Sequence, residues 1–301
     1  MMTESSVSYP HLNDAARAMI DRSETERIYF IRQHSWLGYK EAKRILAVME
    51  DLLSYPSNPR MPNLLLVAPS HNGKTSILKR FEELHPINHD PDGQVTICPV
   101  VMIQAPSKPD LREFYSYILN ALFAPYRPAA SPVELRSQVV TLFRQMGVRM
   151  LMIDEIQHLI AGGLISQRIF RNELKNLGNE TGIVMVVAGV EDAYNAFNTD
   201  PQLSSRFMPE ELPIWKPDKT FGSLLATLER RYPLKYPSIL KAPATMLAIH
   251  TRSEGTLGDV CHLVKELAVD AIRRKVEKIT LDRINSLRWV PPSKRKLFKR
   301  L

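Results

Sequence analysis

At 301 residues, 44% of them hydrophobic and 24% charged, the chain has the composition of a globular protein with one substantial core and a smaller appendage. No apolar run approaches the roughly 20 residues needed to cross a bilayer, and the N-terminal MMTESSVSYPHLND has neither the basic head nor the apolar core of a signal peptide. A net charge of +8 suits a polyanionic partner without requiring one, while Cys98 and Cys261, far apart and without metal-ligand spacing, read as reduced thiols of a cytosolic protein.

Residues 11–55 read as helices; in Tyr39–Leu53, Ala42, Ile45, Leu46, Met49 and Leu53 recur at helical spacing. Pro56, Asn58, Pro59 and Pro62 break the chain, and Asn63–Ala68 follows as a continuously apolar run, the signature of a strand covered on both faces. A polar loop then leads into a helix from Lys74 to about Leu84. Val95–Gln104 reads as a second strand, with Pro99 arguing for an edge or a bulge. Lys108–Phe123 is helical, and Ser131 to Glu134 is a capping box with proline at the first helical position, which starts a helix running to Met146 and stopping at Gly147. Arg149–Ile153 is the third strand, Ile165–Leu177 a helix, Ile183–Ala188 the fourth strand and Glu211–Trp215 a short fifth. Strands alternating with helices predict a parallel sheet wrapped by helices. Beyond Pro217 only helices are expected: Thr220–Arg231, Ala242–Arg252, Leu257–Lys275 and Leu281–Arg288. The expected division is therefore an N-terminal helical segment (1–60), an α/β core (61–216), a helical lid (217–290) and a basic tail (291–301).

Two motifs carry chemistry. Ala68 to Thr75 sits between an apolar strand and a helix, where a phosphate-binding loop belongs, with Ala68 in place of that motif's first glycine. Gly73 lets the backbone approach the phosphates closely, and successive N–H groups form an anion nest at the helix N-terminus. Ser70, His71, Asn72, Gly73, Lys74, Thr75 and Ser76 are thus the candidate ATP contacts, with Lys74 reaching the β- and γ-phosphates and the Thr75 hydroxyl ligating Mg2+. About 80 residues downstream, counted on the same spacing logic, the apolar run from Arg149 ends in Asp154 and Glu155. Asp154 reads as the magnesium ligand and Glu155 as the group that polarises the attacking water, since adjacent carboxylates at a buried strand tip repel unless a cation or a proton compensates; a mere cap on the following helix is the alternative.

Weaker signals follow. In Asp200 to Phe207, Arg206 stands where oligomeric P-loop ATPases place an arginine that reaches a neighbour's γ-phosphate; a plain surface arginine is the alternative. Arg168, Arg171 and Lys175 recur at i, i+3 and i+7, a basic stripe that reads either as a DNA-phosphate contact, together with Lys108 in the loop after the second strand, or as a solvated helix face. The tail from Lys294 to Arg300 reads as a DNA or protein contact or as a solubilising end.

Phosphate loop, Asp-Glu strand end, Ser205-Arg206-Phe207 and helical lid together resemble the AAA+ superfamily. A narrower resemblance is carried by Arg27-Ile28, Ile31-Arg32, Trp36 to Tyr39 and Arg60 to Asn63 leading into Asn72 to Thr75, with Gln157–Leu159 and Arg171 to Asn179 beyond. These look like TniB, the transposon ATPase related to TnsC, over residues from about 11 to about 275. The resemblance implies a bacterial, cytoplasmic, nucleoid-associated regulator of DNA transposition. Such a protein oligomerises with ATP as a ring or helical filament on duplex DNA, works with a target-selection protein and recruits a transposase of the Asp-Asp-Glu type. It places Trp36–Tyr39 near adenine, unless these aromatics are core contacts. Two departures from AAA+ expectation stand out. Gly189-Val190 occupies the place of a polar sensor, and no arginine lies at Thr256 to Asp259, Arg252 being offset by about two turns of helix. Slow hydrolysis used as an assembly switch fits both departures. A replication loader for a helicase or clamp, and a nucleotide-gated scaffold with negligible hydrolysis, are the alternatives.

Overall fold

The computed structural model describes residues 9–58, 60–89, 96–160 and 164–295. The first eight residues, Pro59, Val95 and the tail beyond 295, all used in the sequence reading, lie outside the described residues. The chain opens with helices α1 (Asp14–Arg17), α2 (Glu24–Arg32) and α3 (Lys40–Leu53), followed by β1 (Asn63–Val67) and α4 (Lys74–Leu84). Two short strands, β2 (Asn88–His89) and β3 (Thr96–Ile97), precede β4 (Val100–Gln104), α5 (Leu111–Ala121) and α6 (Pro132–Gln145). Next come β5 (Met150–Asp154), α7 (Gln157–Ile160), α8 (Leu164–Thr181), β6 (Val184–Gly189), α9 (Glu191–Asn198), α10 (Pro201–Ser204) and β7 (Phe207–Glu211). The remaining elements are helices: α11 (Lys219–Glu229), α12 (Pro243–Ser253), α13 (Leu257–Arg273), α14 (Leu281–Ser286) and α15 (Pro292–Arg295).

The chain forms two compact units, Gly38–Pro213 on the one hand and Met1–Leu37 with Ile214–Leu301 on the other. This division differs from the boundaries expected of the sequence. The residues before 60 do not stand as one segment: α1 and α2 fold with the C-terminal helices, whereas α3 buries Ala42, Ile45 and Met49 in the sheet unit.

In the sheet unit five parallel strands run in the order β4-β5-β6-β1-β7. β5 and β6 are buried along their whole length and β1 over its first four residues, which is why their sequences read as unbroken apolar runs. Helix α4 buries Ile77, Leu78 and Phe81 from one face. The capping box of α6 forms as expected: Glu134 accepts from the Ser131 N–H at 2.8 Å, the Ser131 hydroxyl accepts from the Glu134 N–H at 3.3 Å, and Gly147 follows the helix at φ 63°.

Two strand expectations need correction. The expected strand Val95–Gln104 is divided at Pro99: Thr96–Ile97 pairs antiparallel with Asn88–His89, and β4 begins at Val100 as a sheet edge. A proline offers no N–H to a ladder, but its carbonyl still accepts here, from Arg149 at 2.9 Å and Met150 at 3.0 Å. The fifth strand lies at Phe207–Glu211 rather than Glu211–Trp215, because Leu212 makes the last bond to β1 (to the Val67 carbonyl, 2.9 Å) and Pro213 ends the run.

In the helical unit α13 buries ten residues and forms the core. Arg27 of α2 is 5% exposed; its guanidinium donates to the Pro233 carbonyl and to both oxygens of Glu277, just past the end of α13. A buried, multiply bonded arginine of this kind fixes how α2 lies on α13, since losing either partner would strand a charge away from water. Arg252 donates to the carbonyls of Ile284, Asn285 and Leu287, so it closes the end of α14 and is engaged within its own unit. From the tail, Arg295 pairs with buried Asp259 at 2.5 Å and lies 4.9 Å over the Trp289 ring.

Candidate nucleotide site

The loop after β1 turns on two left-handed residues, His71 (φ 61°) and Gly73 (φ 95°). Ala68 is not one of them, so the position needs no glycine; its N–H donates to the Gly189 carbonyl at 3.1 Å and its methyl is buried. Gly73 is the N-cap of α4 and no side chain caps the helix, leaving its first-turn N–H groups directed at whatever lies over the loop. Asn72 is 2% exposed, and its amide donates to the carbonyls of Leu212 (2.7 Å) and Pro213 (3.1 Å), so its side chain braces the loop. Ser70 and His71 are exposed and Ser76 is half-buried. Lys74 is 4% exposed, its ammonium curled onto the carbonyls of Ala68 (2.8 Å) and Pro69 (3.0 Å) of the loop it belongs to. Burial pushes its pKa down, while the neighbouring charges of Glu155 and Asp154 pull it back up.

β5 runs next to β6 and carries its acids to the same end of the sheet. Asp154 is 4% exposed; one carboxylate oxygen accepts from the Thr75 hydroxyl at 2.5 Å and the other from the Glu155 N–H at 2.9 Å. Two residues separated by 79 positions in sequence thus meet at one point. Hydroxyl and carboxylate are hard oxygen donors, the kind that hold magnesium alongside substrate phosphates and water. Among the described residues no group of three or more His, Cys, Asp and Glu that could hold a metal ion is present. Glu155 adopts a left-handed backbone (φ 55°), turning its side chain out of the strand's alternation. Its carboxylate accepts from the Gln157 side-chain amide, a contact the sequence reading missed.

Arg206 lies in the turn between α10 and β7, and its guanidinium donates to the Asn179 side chain at 2.7 Å. The basic stripe is not one exposed surface. Arg168 is exposed, but Arg171 donates to Gln167 at 2.9 Å and lies 3.9 Å from Asp200, and Lys175 donates to Gln202 at 2.7 Å. The reason is α10: Asp200 caps it, and with Gln202 offers oxygens to the α8 cations facing it. Lys108 is exposed. The boundary between the two units falls inside Trp36–Tyr39; Trp36 is half-buried and its carbonyl accepts from Arg231 at 2.6 Å.

The family model described as bacterial TniB protein matches residues 27–217. The chain belongs to the TniB family. No curated protein sequence matches this TniB-family chain. Among solved structures, the ORC2 protein of Aeropyrum pernix in its ADPNP–ADP complexes aligns over 90% of this chain and 74% of its own, with a TM-score of 0.61 and 14% identity. Cdc6p of Pyrobaculum aerophilum aligns over 83% and 67%, with a TM-score of 0.58 and 19% identity. Drosophila ORC bound to DNA aligns over 95% and 68%, with a TM-score of 0.58 and 13% identity. At such identities the likeness establishes the fold, that of AAA+ P-loop ATPases, and nothing finer.

Proposed function

We propose that this TniB-family protein is an ATP-dependent, DNA-binding regulator of transposition that assembles on duplex DNA and recruits a transposase of the Asp-Asp-Glu type. The observation that carries the reading is the meeting of Thr75, Asp154 and Glu155 beside the Lys74 loop, in a chain of this family. Each group has a task in phosphoanhydride cleavage. The α4 N-terminus and the loop N–H groups hold the phosphates, and Lys74 leaves its carbonyl partners to neutralise the β- and γ-oxygens. Thr75 and Asp154 would hold magnesium, which when bound neutralises phosphate charge. Glu155 orients the attacking water and accepts its proton. An ORC2 relative was solved with ADPNP and ADP, and other AAA+ neighbours were solved on DNA, which supports the same two ligands here.

Arg206 completes a neighbour's site in this reading, and its bond to Asn179 keeps it folded back until subunits meet. Arg206→Ala mixed with Glu155→Gln is expected to recover part of the turnover that each lacks alone, because some junctions then pair an intact Glu155 with an intact Arg206. Steady-state phosphate release across mixing ratios checks this, and a flat baseline at every ratio removes the trans role.

For DNA, Arg168 and Lys108 are the exposed members of the four candidate cations and are taken as the phosphate contacts, with Arg171 and Lys175 supporting α8. Arg168→Glu with Lys108→Glu is expected to retain ATP binding and lose ATP-dependent assembly on duplexes of any sequence. Sedimentation with labelled duplex measures it; full assembly at moderate salt would relocate the DNA contact. Co-purification with an Asp-Asp-Glu transposase in ATP supports the transposition role, whereas capture of a replicative helicase instead would favour the loader.

A further inference from the structure

AAA+ expectation puts a polar residue at the end of β6, and this chain has Gly189-Val190 there. The structure shows what fills the position. Gln157, the first residue of α7, extends its side chain to this strand end: its carbonyl oxygen accepts from the Val190 N–H at 3.4 Å, and its amide NH2 donates to the Glu155 carboxylate. The two partners fix the amide's orientation, since Val190 offers only a donor and ionised Glu155 only acceptors. Gly189 makes room for this. A Cβ at 189 would lie 2.6 Å from the Ala193 Cβ, 2.8 Å from the Ile156 Cγ2 and 3.0 Å from the Gln157 carbonyl oxygen. A side chain at 189 and the present packing of Ala193, Ile156 and Gln157 are therefore mutually exclusive.

We infer that Gln157 is the positioning residue for Glu155, supplying from the start of α7 the polar group that β6 itself lacks. The bridge ties the water-orienting carboxylate to the Val190 N–H at the start of α9, so its aim is set by the junction of β6 and α9. Glu155 needs such a tie more than a residue within a regular strand would, because its left-handed backbone places its side chain outside the sheet's register. The inference rests on the ATPase reading of the same site.

Three variants separate the two halves of the bridge. Gln157→Glu keeps the oxygen that faces Val190 and loses the donor to Glu155; Gln157→Leu loses both; Gln157→Asn keeps the chemistry at shorter reach. Single-turnover hydrolysis is expected to fall on the order of 10²-fold in Gln157→Leu and Gln157→Glu and less in Gln157→Asn, with ATP affinity within about twofold of wild type in all three, as expected for a group that binds no phosphate. Amide hydrogen exchange on the nucleotide-free protein provides a readout independent of turnover. Val190 should lose protection in Gln157→Leu and keep it in Gln157→Glu, and the Gln157 side-chain amide signal should shift in Glu155→Gln. Wild-type hydrolysis rates in Gln157→Leu and Gln157→Glu, or a Val190 amide indifferent to both, would overturn the inference while leaving the ATPase reading intact. A wild-type protein that neither binds nor hydrolyses ATP, or a Glu155→Gln variant as fast as wild type, would instead fail the ATPase reading and this inference with it.

Discussion

Lys74→Ala is expected to weaken ATP binding by roughly 10²–10⁴-fold, the loss of two charge-assisted hydrogen bonds at about 1.5–3 kcal/mol each. The number follows from the site's geometry. Lys74 is a buried cation whose present acceptors are two loop carbonyls, and phosphate oxygens are the stronger partners it can exchange them for. Burial already lowers its pKa, so an anion placed over the loop also relieves the cost of holding the charge there. Equilibrium titration with a fluorescent ATP analogue and magnesium measures the loss. Lys74→Arg keeps the charge with a bulkier, planar head and is expected to fall between the two. Affinity equal to wild type in Lys74→Ala would remove the phosphate-loop assignment.

The second large effect is on chemistry alone. Glu155→Gln is close to isosteric and still meets Gln157, but it cannot accept a proton from water. Single-turnover hydrolysis is expected to fall about 10²–10⁴-fold, the usual contribution of a positioned general base, with ATP affinity retained. Because ATP then persists, assembly on DNA should last longer than in wild type. A chase with excess unlabelled duplex reads that lifetime; a variant that hydrolyses at the wild-type rate would exclude Glu155 as the base.

Much of the architecture could be read along the chain because it is local. Leu64–Leu66, Leu151–Ile153 and Val184–Ala188 announce covered strands by apolarity alone, and the Ser131–Glu134 box announces its helix. The phosphate loop and the Asp-Glu tip are also local motifs, and the parallel sheet brings them together. What could not be read are partnerships between distant side chains. The stripe at 168, 171 and 175 has the right helical spacing, yet nothing in that spacing reveals that Asp200 and Gln202 face it. Likewise Arg206 gives no local sign of Asn179. Gln157 left one faint trace, a glycine standing where a polar residue was expected. The same holds for α2, whose Arg27 bonds to Glu277, 250 residues away.

β7 has a bearing on edge-to-edge pairing between copies of this chain. It closes one side of the sheet with Phe207, Met208, Pro209, Glu210 and Glu211, and Arg44 grips Glu210 at 2.6 Å. A proline and two carboxylates make a poor template for another chain's backbone. Growth by sheet-to-sheet stitching, which is hard to reverse, is thereby discouraged at the β7 margin. In the proposed assembly on DNA, joints made through side chains rather than through backbone pairing at this margin could be made and released as a bound nucleotide changes.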